Sequence, residues 1–272
     1  RQRPNHYPDL ACRLIYMTWI MSRKMSKTCI LVLGTHRSGT SAFSRLLNLS
    51  GAAAPKTLMP PQDDNERGFW ESEIVAGLND VLLAACGSAW DDWRAFNAED
   101  HLAEYGPDLV KLIAAAIQSE YEDAETIVLK DPRISRFVPL YVEALDRLGY
   151  EAAFLHSLRD PRAVAASLAA RNKTPPEQAG LLWMRHHLDA EVTTRGHRRA
   201  FFSYEDLIRD WRPQVQRMRT AFSLPPTDGN DTYADKIEEF LSPRLQHHLG
   251  DTPFEGVDEE TAARIDDVAD LL

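Results

Sequence analysis

Cysteine is scarce: Cys12, Cys29 and Cys86 are all that 272 residues contain. An odd count with no ligand spacing excludes a disulfide framework and a zinc motif. A reducing compartment fits this usage, so a cytoplasmic location is expected. Each cysteine reads as a small apolar side chain. Long apolar runs are lacking too. No stretch reaches the ~18–20 residues of a membrane helix. Leu10 to Met21 comes nearest, but Arg13 breaks it and no signal-type cleavage site precedes the first strand. No stable membrane anchor is therefore expected. Positive charge is in the minority, with 31 Lys and Arg against 41 Asp and Glu, a net charge of −10 and a pI near 5.4. That balance excludes general nucleic-acid binding and leaves room for a local basic pocket around an anionic cofactor. Internal repeats, low-complexity tracts and Pro/Ser linkers are missing as well. One domain over residues 25–272 is expected, with 1–24 as an N-terminal extension, flexible or foreign to the natural chain.

What is present centres on one stretch. Thr28 to Leu33 is apolar enough for a buried strand, Gly34 to Gly39 is a glycine-bounded turn, and Phe43, Leu46 and Leu47 recur at helical spacing. Strand, turn and helix start make a phosphate cradle, because turn amides and the helix dipole both point at an anion. The pattern is nearly the nucleotide-hydrolase loop G-x-x-x-x-G-K-[ST], but Thr40 stands where its lysine belongs. The cation is Arg37, inside the turn.

Further strands are expected at Thr126–Leu129, Ala152–Leu158 and Ala200–Ser203, with a short one near Ala52–Leu58. Between them lie helical patterns at 74–82, 107–119, 136–148, 163–171 and 176–194. Such alternation predicts an α/β fold, a P-loop-containing, doubly wound parallel sheet flanked by helices. Ligands bind beyond the carboxyl ends of strands in these sheets. Three strand ends carry cations: Arg37, then Lys130 and Arg133, then Arg159 and Arg162. They should converge on one edge.

Backbone donors with several fixed cations suit transfer of a highly charged group. A P-loop kinase or nucleotide hydrolase needs a loop lysine and a metal-binding carboxylate at a later strand end. Here the loop lysine is replaced, and Lys130 occupies the strand end with Asp131 flanked by cations. Cationic side chains stand in for a metal, and metal-free transfer from an anionic donor follows. A non-catalytic nucleotide-binding or interaction module is the other alternative.

Residues 28–210 resemble the sulfotransferases that use 3′-phosphoadenosine 5′-phosphosulfate (PAPS), most of all the bacterial members and the tyrosylprotein sulfotransferases. Gly34-Thr-His-Arg37-Ser38-Gly39-Thr40-Ser41 matches the family's 5′-phosphosulfate loop. Arg159-Asp160-Pro161-Arg162 with Ser167 matches its 3′-phosphate motif. Lys130-Asp131-Pro132 resembles the motif carrying a catalytic lysine, and Tyr204-Glu205-Asp206-Leu207 a motif near the 3′-phosphate. The resemblance implies sulfuryl transfer to a hydroxyl or an amine, leaving adenosine 3′,5′-bisphosphate and requiring no metal. It implies that Arg37, Ser38, Gly39, Thr40, Ser41, Arg159, Ser167 and Tyr204 bind PAPS, and that Arg37 and Lys130 act on the transferred group. The acceptor would be a small molecule, a carbohydrate or a peptide.

A general base must take the acceptor's proton. By the same resemblance, Glu71 fits best, just before a helix; Glu66, Glu73 and Asp131 compete. Pro132 stands where cytosolic members carry a histidine, which favours a carboxylate. His36 reads as packed or exposed rather than catalytic. Phe69, Trp70, Trp90 and Trp93 either line an acceptor pocket or plug the core. Trp183, Arg185, His186 and His187 read as a solvated helix face, and Asp258–Asp267 as a solvated terminal helix.

Overall fold

The sheet grows from β1 (Lys27–Leu33), whose residues from Cys29 onward are all buried. A strand covered on both faces needs apolar side chains at both alternations, and this one has them. In the computed structural model, which describes residues 27–62, 68–98, 100, 106–225, 231–241, 254 and 256–272, β1 pairs in parallel with β2 (Thr126–Lys130) and β3 (Tyr150–Leu158). Beyond β3, in parallel, lies β4 (Arg198–Ser203), giving the order β2-β1-β3-β4.

Cys29, Leu31 and Leu33 point to one face, where α2 (Glu73–Ala85), α3 (Gly106–Tyr121) and α4 (Val138–Arg147) cover them. Ile30 and Val32 point to the other, under α1 (Thr40–Leu49) and, later in the chain, α8 (Trp211–Phe222). Between them in sequence come α5 (Pro161–Asn172), α6 (Pro176–Thr193) and α7 (Tyr204–Arg209). The chain continues through α9 (Asp231–Phe240) and α10 (Glu259–Leu271). A third apolar cluster joins Val164 and Leu168 of α5, Leu182 and Trp183 of α6, and Ile265 of α10. Helices on both faces of a parallel sheet are the doubly wound arrangement expected from the alternation of elements.

The carboxyl ends of β2 and β3 are finished alike. Asp131 caps the 3₁₀ turn Pro132–Arg136 by accepting from the Arg133 amide, and Asp160 caps α5 by accepting from Arg162 and Ala163. Each aspartate is followed by proline in the first turn, where its missing N–H costs nothing.

Three expectations are corrected. The segment near Ala52–Leu58 forms no strand. Ala53 makes one parallel bridge to Ile127, and Leu58 one antiparallel bridge to Ser72. Pro55, without an amide hydrogen, ends the first ladder at once. The Trp183–His187 stretch is not a solvated face: Trp183, His186 and His187 are buried, and Arg185 is half-buried. Helix α6 is closed in by α5, α10, α4 and the 3₁₀ turn, so more than one of its faces needs packing. The terminal helix also departs from full solvation, since Ile265 is buried and Asp266 pairs with Arg162.

Burial penalises a charged imidazole. It holds His156 and His186 at about 4 and His187 at about 3. An unfolded chain takes up these protons near pH 6.5. The stability they contribute is complete above that pH and drains as the pH falls toward 4, by up to about 1.4 kcal/mol per histidine per pH unit. Thermal melts across this range should show Tm falling steeply. Neither ring nitrogen of His187 has a hydrogen-bond partner, so His187→Leu should make the fall shallower.

Candidate active site

The loop after β1 is shaped by three residues with positive φ: Gly34 (144°), Arg37 (71°) and Gly39 (89°). At Gly34 a Cβ would lie 2.7 Å from Ser38 Oγ and 2.8 Å from the Ser157 carbonyl. A Cβ at Gly39 would overlap the Tyr204 ring. Both positions therefore require glycine. Arg37 has no such excuse, and its left-handed backbone costs on the order of 1–2 kcal/mol; strain of this kind collects at functional sites. The loop is pinned from below. Ser38 Oγ donates to the Thr35 carbonyl at 2.7 Å, Ser157 Oγ to the Ser38 carbonyl at 2.7 Å, and Thr35 Oγ1 to the Trp183 carbonyl at 3.4 Å. Gly39 sits at the N-cap of α1 and brings no side chain to its first-turn amides. Those amides form an anion cradle.

Cations and hydroxyls from the other strand ends meet this loop. Arg37 Nε donates to Ser167 Oγ at 2.8 Å, and Arg159 Nη1 donates to the Arg37 carbonyl at 2.9 Å. The Arg159 guanidinium lies 5.0 Å from the centre of the Tyr204 ring, which itself packs on Gly39. Trp183 Nε1 donates to the Arg159 carbonyl at 3.0 Å. Arg37 to Ser41, Arg159, Ser167 and Tyr204 thus share one edge of the sheet. Loop amides, two guanidinium groups and the nearly buried Ser167 hydroxyl are gathered in one place, a donor set suited to phosphate groups.

The second half of the site is a buried charge network. Lys130, the last residue of β2, contacts Glu71 Oε1, and donates to the Phe69 carbonyl at 3.0 Å and Ser41 Oγ at 3.4 Å. Arg133 Nη2 lies 3.5 Å from Glu71 Oε2. Glu71 is brought there by Trp70, whose left-handed φ of 57° turns the chain just before the Ser72 N-cap of α2. The Trp70 ring is held by the Arg45 guanidinium at 4.6 Å and by Phe240 at 6.2 Å. Burial raises the Glu71 carboxyl above its ordinary range, against the pull of Lys130.

Among the competing carboxylates, Asp131 is fully buried and spends both oxygens on Arg133, at 2.8 and 2.6 Å. Glu73 is exposed, and Glu66 lies outside the described residues. Arg162 pairs with Asp266 rather than with the loop. Nothing in the sequence flagged Ser157 as the loop's support or Arg133 as the hub joining Glu71, Asp131 and Asp80.

The aromatics divide. Phe69 is buried beneath the Arg171 guanidinium, and Trp90 packs edge-on against His36 at 5.0 Å. Trp93 is exposed on the loop 87–97, beside an open cleft of about 480 Å³ lined also by Ser88, Asp91, Arg94 and Gln178. That loop is held by its carbonyls. Gln178 donates to Asp91 O at 3.0 Å, Arg136 to Asp92 O at 3.0 Å and Arg94 O at 2.9 Å, and Arg185 to Trp93 O at 3.2 Å. No helix among the described residues is long and apolar enough to cross a membrane.

Comparison with known proteins bears on the family and the fold. No curated protein matches the chain. Among solved structures, it is similar to the sulfotransferase domain of the Synechococcus PCC 7002 olefin synthase, with a TM-score of 0.54 at 16% identity, covering 90% of this chain and 94% of that one. It is similar too to sulfotransferase STF9 of Mycobacterium avium, with a TM-score of 0.53 at 16% identity, covering 96% and 81%. These likenesses concern the fold. The model of the sulfotransferase family matches residues 29–228, most of the chain. The chain belongs to the sulfotransferase family, enzymes that transfer a sulfuryl group from PAPS.

Proposed function

We propose that this site seats PAPS on the loop 34–41 and directs its sulfuryl group to an acceptor hydroxyl beside Glu71. The observation that carries the reading is the meeting of Lys130, Glu71 and Ser41. It joins the phosphate loop to a cation and a carboxylate without an intervening element. Arg37 and the amides of Ser38 to Ser41 hold the 5′ end, Arg159 and Ser167 the 3′-phosphate, and the Tyr204 ring backs the loop at Gly39.

Bound PAPS supplies the electrophilic sulfuryl group. Glu71 accepts the hydroxyl proton, a task its raised carboxyl suits. Lys130 and Arg37 stabilise negative charge that develops on the transferred group and on the bridging oxygen. Arginine cannot be deprotonated here, so Arg37 works by charge alone. The family match leaves kinase and hydrolase chemistry without support. The acceptor is a small molecule, a carbohydrate or a peptide, and residues 25–272 act as one domain. Reduced, buried Cys29 and Cys86 are consistent with a cytoplasmic enzyme.

Adenosine 3′,5′-bisphosphate should raise Tm more than 5′-AMP does. A ligand at a hundredfold excess over its Kd stabilises by about 2.7 kcal/mol, a shift of several degrees for a chain of this size. Differential scanning fluorimetry with both nucleotides tests this. Equal shifts would remove Arg159 and Ser167 from 3′-phosphate recognition.

A further inference from the structure

An ammonium group has three N–H donors and no acceptor. Lys130 has committed all three, to the Glu71 carboxylate, the Phe69 carbonyl and the Ser41 hydroxyl. Its side chain is 3% exposed, so a new partner has to displace an old one. Ser41 Oγ donates to the same Phe69 carbonyl at 2.9 Å. One lysine therefore ties the phosphate loop to the segment carrying Glu71. We propose that Lys130 is a shared counter-ion that holds either Glu71 or the sulfuryl oxygens of bound PAPS but not both, so that PAPS binding is coupled to proton uptake by Glu71. The inference rests on the reading of loop 34–41 as the PAPS site.

The surroundings decide what Glu71 does when Lys130 turns away. Arg133, from the turn after β2, is the remaining cation near its carboxylate, at 3.5 Å. That guanidinium is already engaged by Asp131 and Asp80. Asp131, at the same strand end, adds negative charge and pushes the Glu71 carboxyl up. His36, on the loop, is kept neutral by burial and by the neighbouring His186, Arg133, Lys130 and Arg171. Arg171 of α5 lies over the Phe69 ring at 5.3 Å, and Glu73 of α2 is exposed. Lys130 is the largest influence opposing the burial of the Glu71 charge. Its departure, with the arrival of PAPS phosphates, leaves a buried carboxylate short of positive charge. Such a group takes a proton from solvent or from a hydroxyl presented to it. No covalent bond changes in the handover, and the proton ends on a Glu71 oxygen. Glu71 is then a stronger base with PAPS seated than while Lys130 holds it, and its unprotonated fraction is what takes the acceptor hydroxyl's proton.

Isothermal titration of PAPS, without acceptor, tests the coupling. Wild type and Glu71→Gln are each titrated at one pH in two buffers of different protonation enthalpy. The phosphates of PAPS titrate themselves, so the quantity read is the difference between the two proteins. Wild type should take up more protons per PAPS bound, by a sizeable fraction of one. Its Kd relative to the variant should fall as the pH is lowered. Equal uptake would overturn the handover and leave the PAPS site standing. Failure of folded wild type to bind PAPS would remove the site reading and the handover together. Should Glu71→Gln not fold, the infrared difference spectrum of wild type on adding PAPS decides the matter. A new protonated-carboxyl band is expected, and its absence counts against the handover.

Discussion

Glu71→Gln should lower kcat by about 10²–10⁴, the usual contribution of a positioned base. The substitution keeps the shape of the side chain and its place before the Ser72 cap. It removes the proton acceptor and releases Lys130 from its ion pair. PAPS affinity should therefore be kept or improved, and the whole loss should appear in turnover. Wild-type kcat/KM should rise with pH through the ionisation of Glu71, which burial places above the ordinary carboxylate range. The variant should lose that acidic limb. Steady-state rates with radiolabelled PAPS, taken across pH, read both effects. Near-normal turnover in Glu71→Gln would transfer the base role to Glu66 or Glu73, since Asp131 is committed to Arg133.

Arg37→Ala should cost about 10²–10³ in kcat, the order found for loss of one preorganised group stabilising developing charge. It also strips Ser167 of its 2.8 Å partner, so the affinity for PAPS should weaken as well. Arg37→Gly separates function from folding. Glycine relieves the left-handed backbone at φ 71°, and the protein should gain on the order of 1 kcal/mol in stability while losing transfer to the same degree. A melt and a rate measurement on the two variants check this. Retained transfer in either would take the loop cation out of the mechanism.

The sequence made some of this legible for clear physical reasons. An apolar run that leads into a glycine-bounded turn has few readings other than strand and loop, so β1 and the turn after it stood out. The two Asp-Pro pairs marked strand ends because aspartate caps and proline starts a helix, and both do so here. The contact between Glu71 and Lys130 had no local signal. The residues are 59 positions apart, and their meeting depends on the left-handed turn at Trp70. Periodicity also misjudged Trp183 to His187. A helix surrounded on several sides buries polar rings along with apolar ones, and its sequence then lacks the one-sided pattern from which burial is inferred. The single Ala53 bridge shows the converse, a strand-like composition stopped by Pro55 before a ladder could form.

The grip on the loop 87–97 has an evolutionary consequence. Arg136, Arg185 and Gln178 hold it through main-chain oxygens, which every amino acid supplies. These four hydrogen bonds read no side chain of the loop; the side chain that is gripped is Phe96, which lies under the Arg136 guanidinium at 4.2 Å and against Phe137. Residues such as Asp91 and Trp93 can therefore be exchanged while the path of the chain stays put, and the chemistry of the neighbouring cleft can diversify by point mutation on an unchanged backbone.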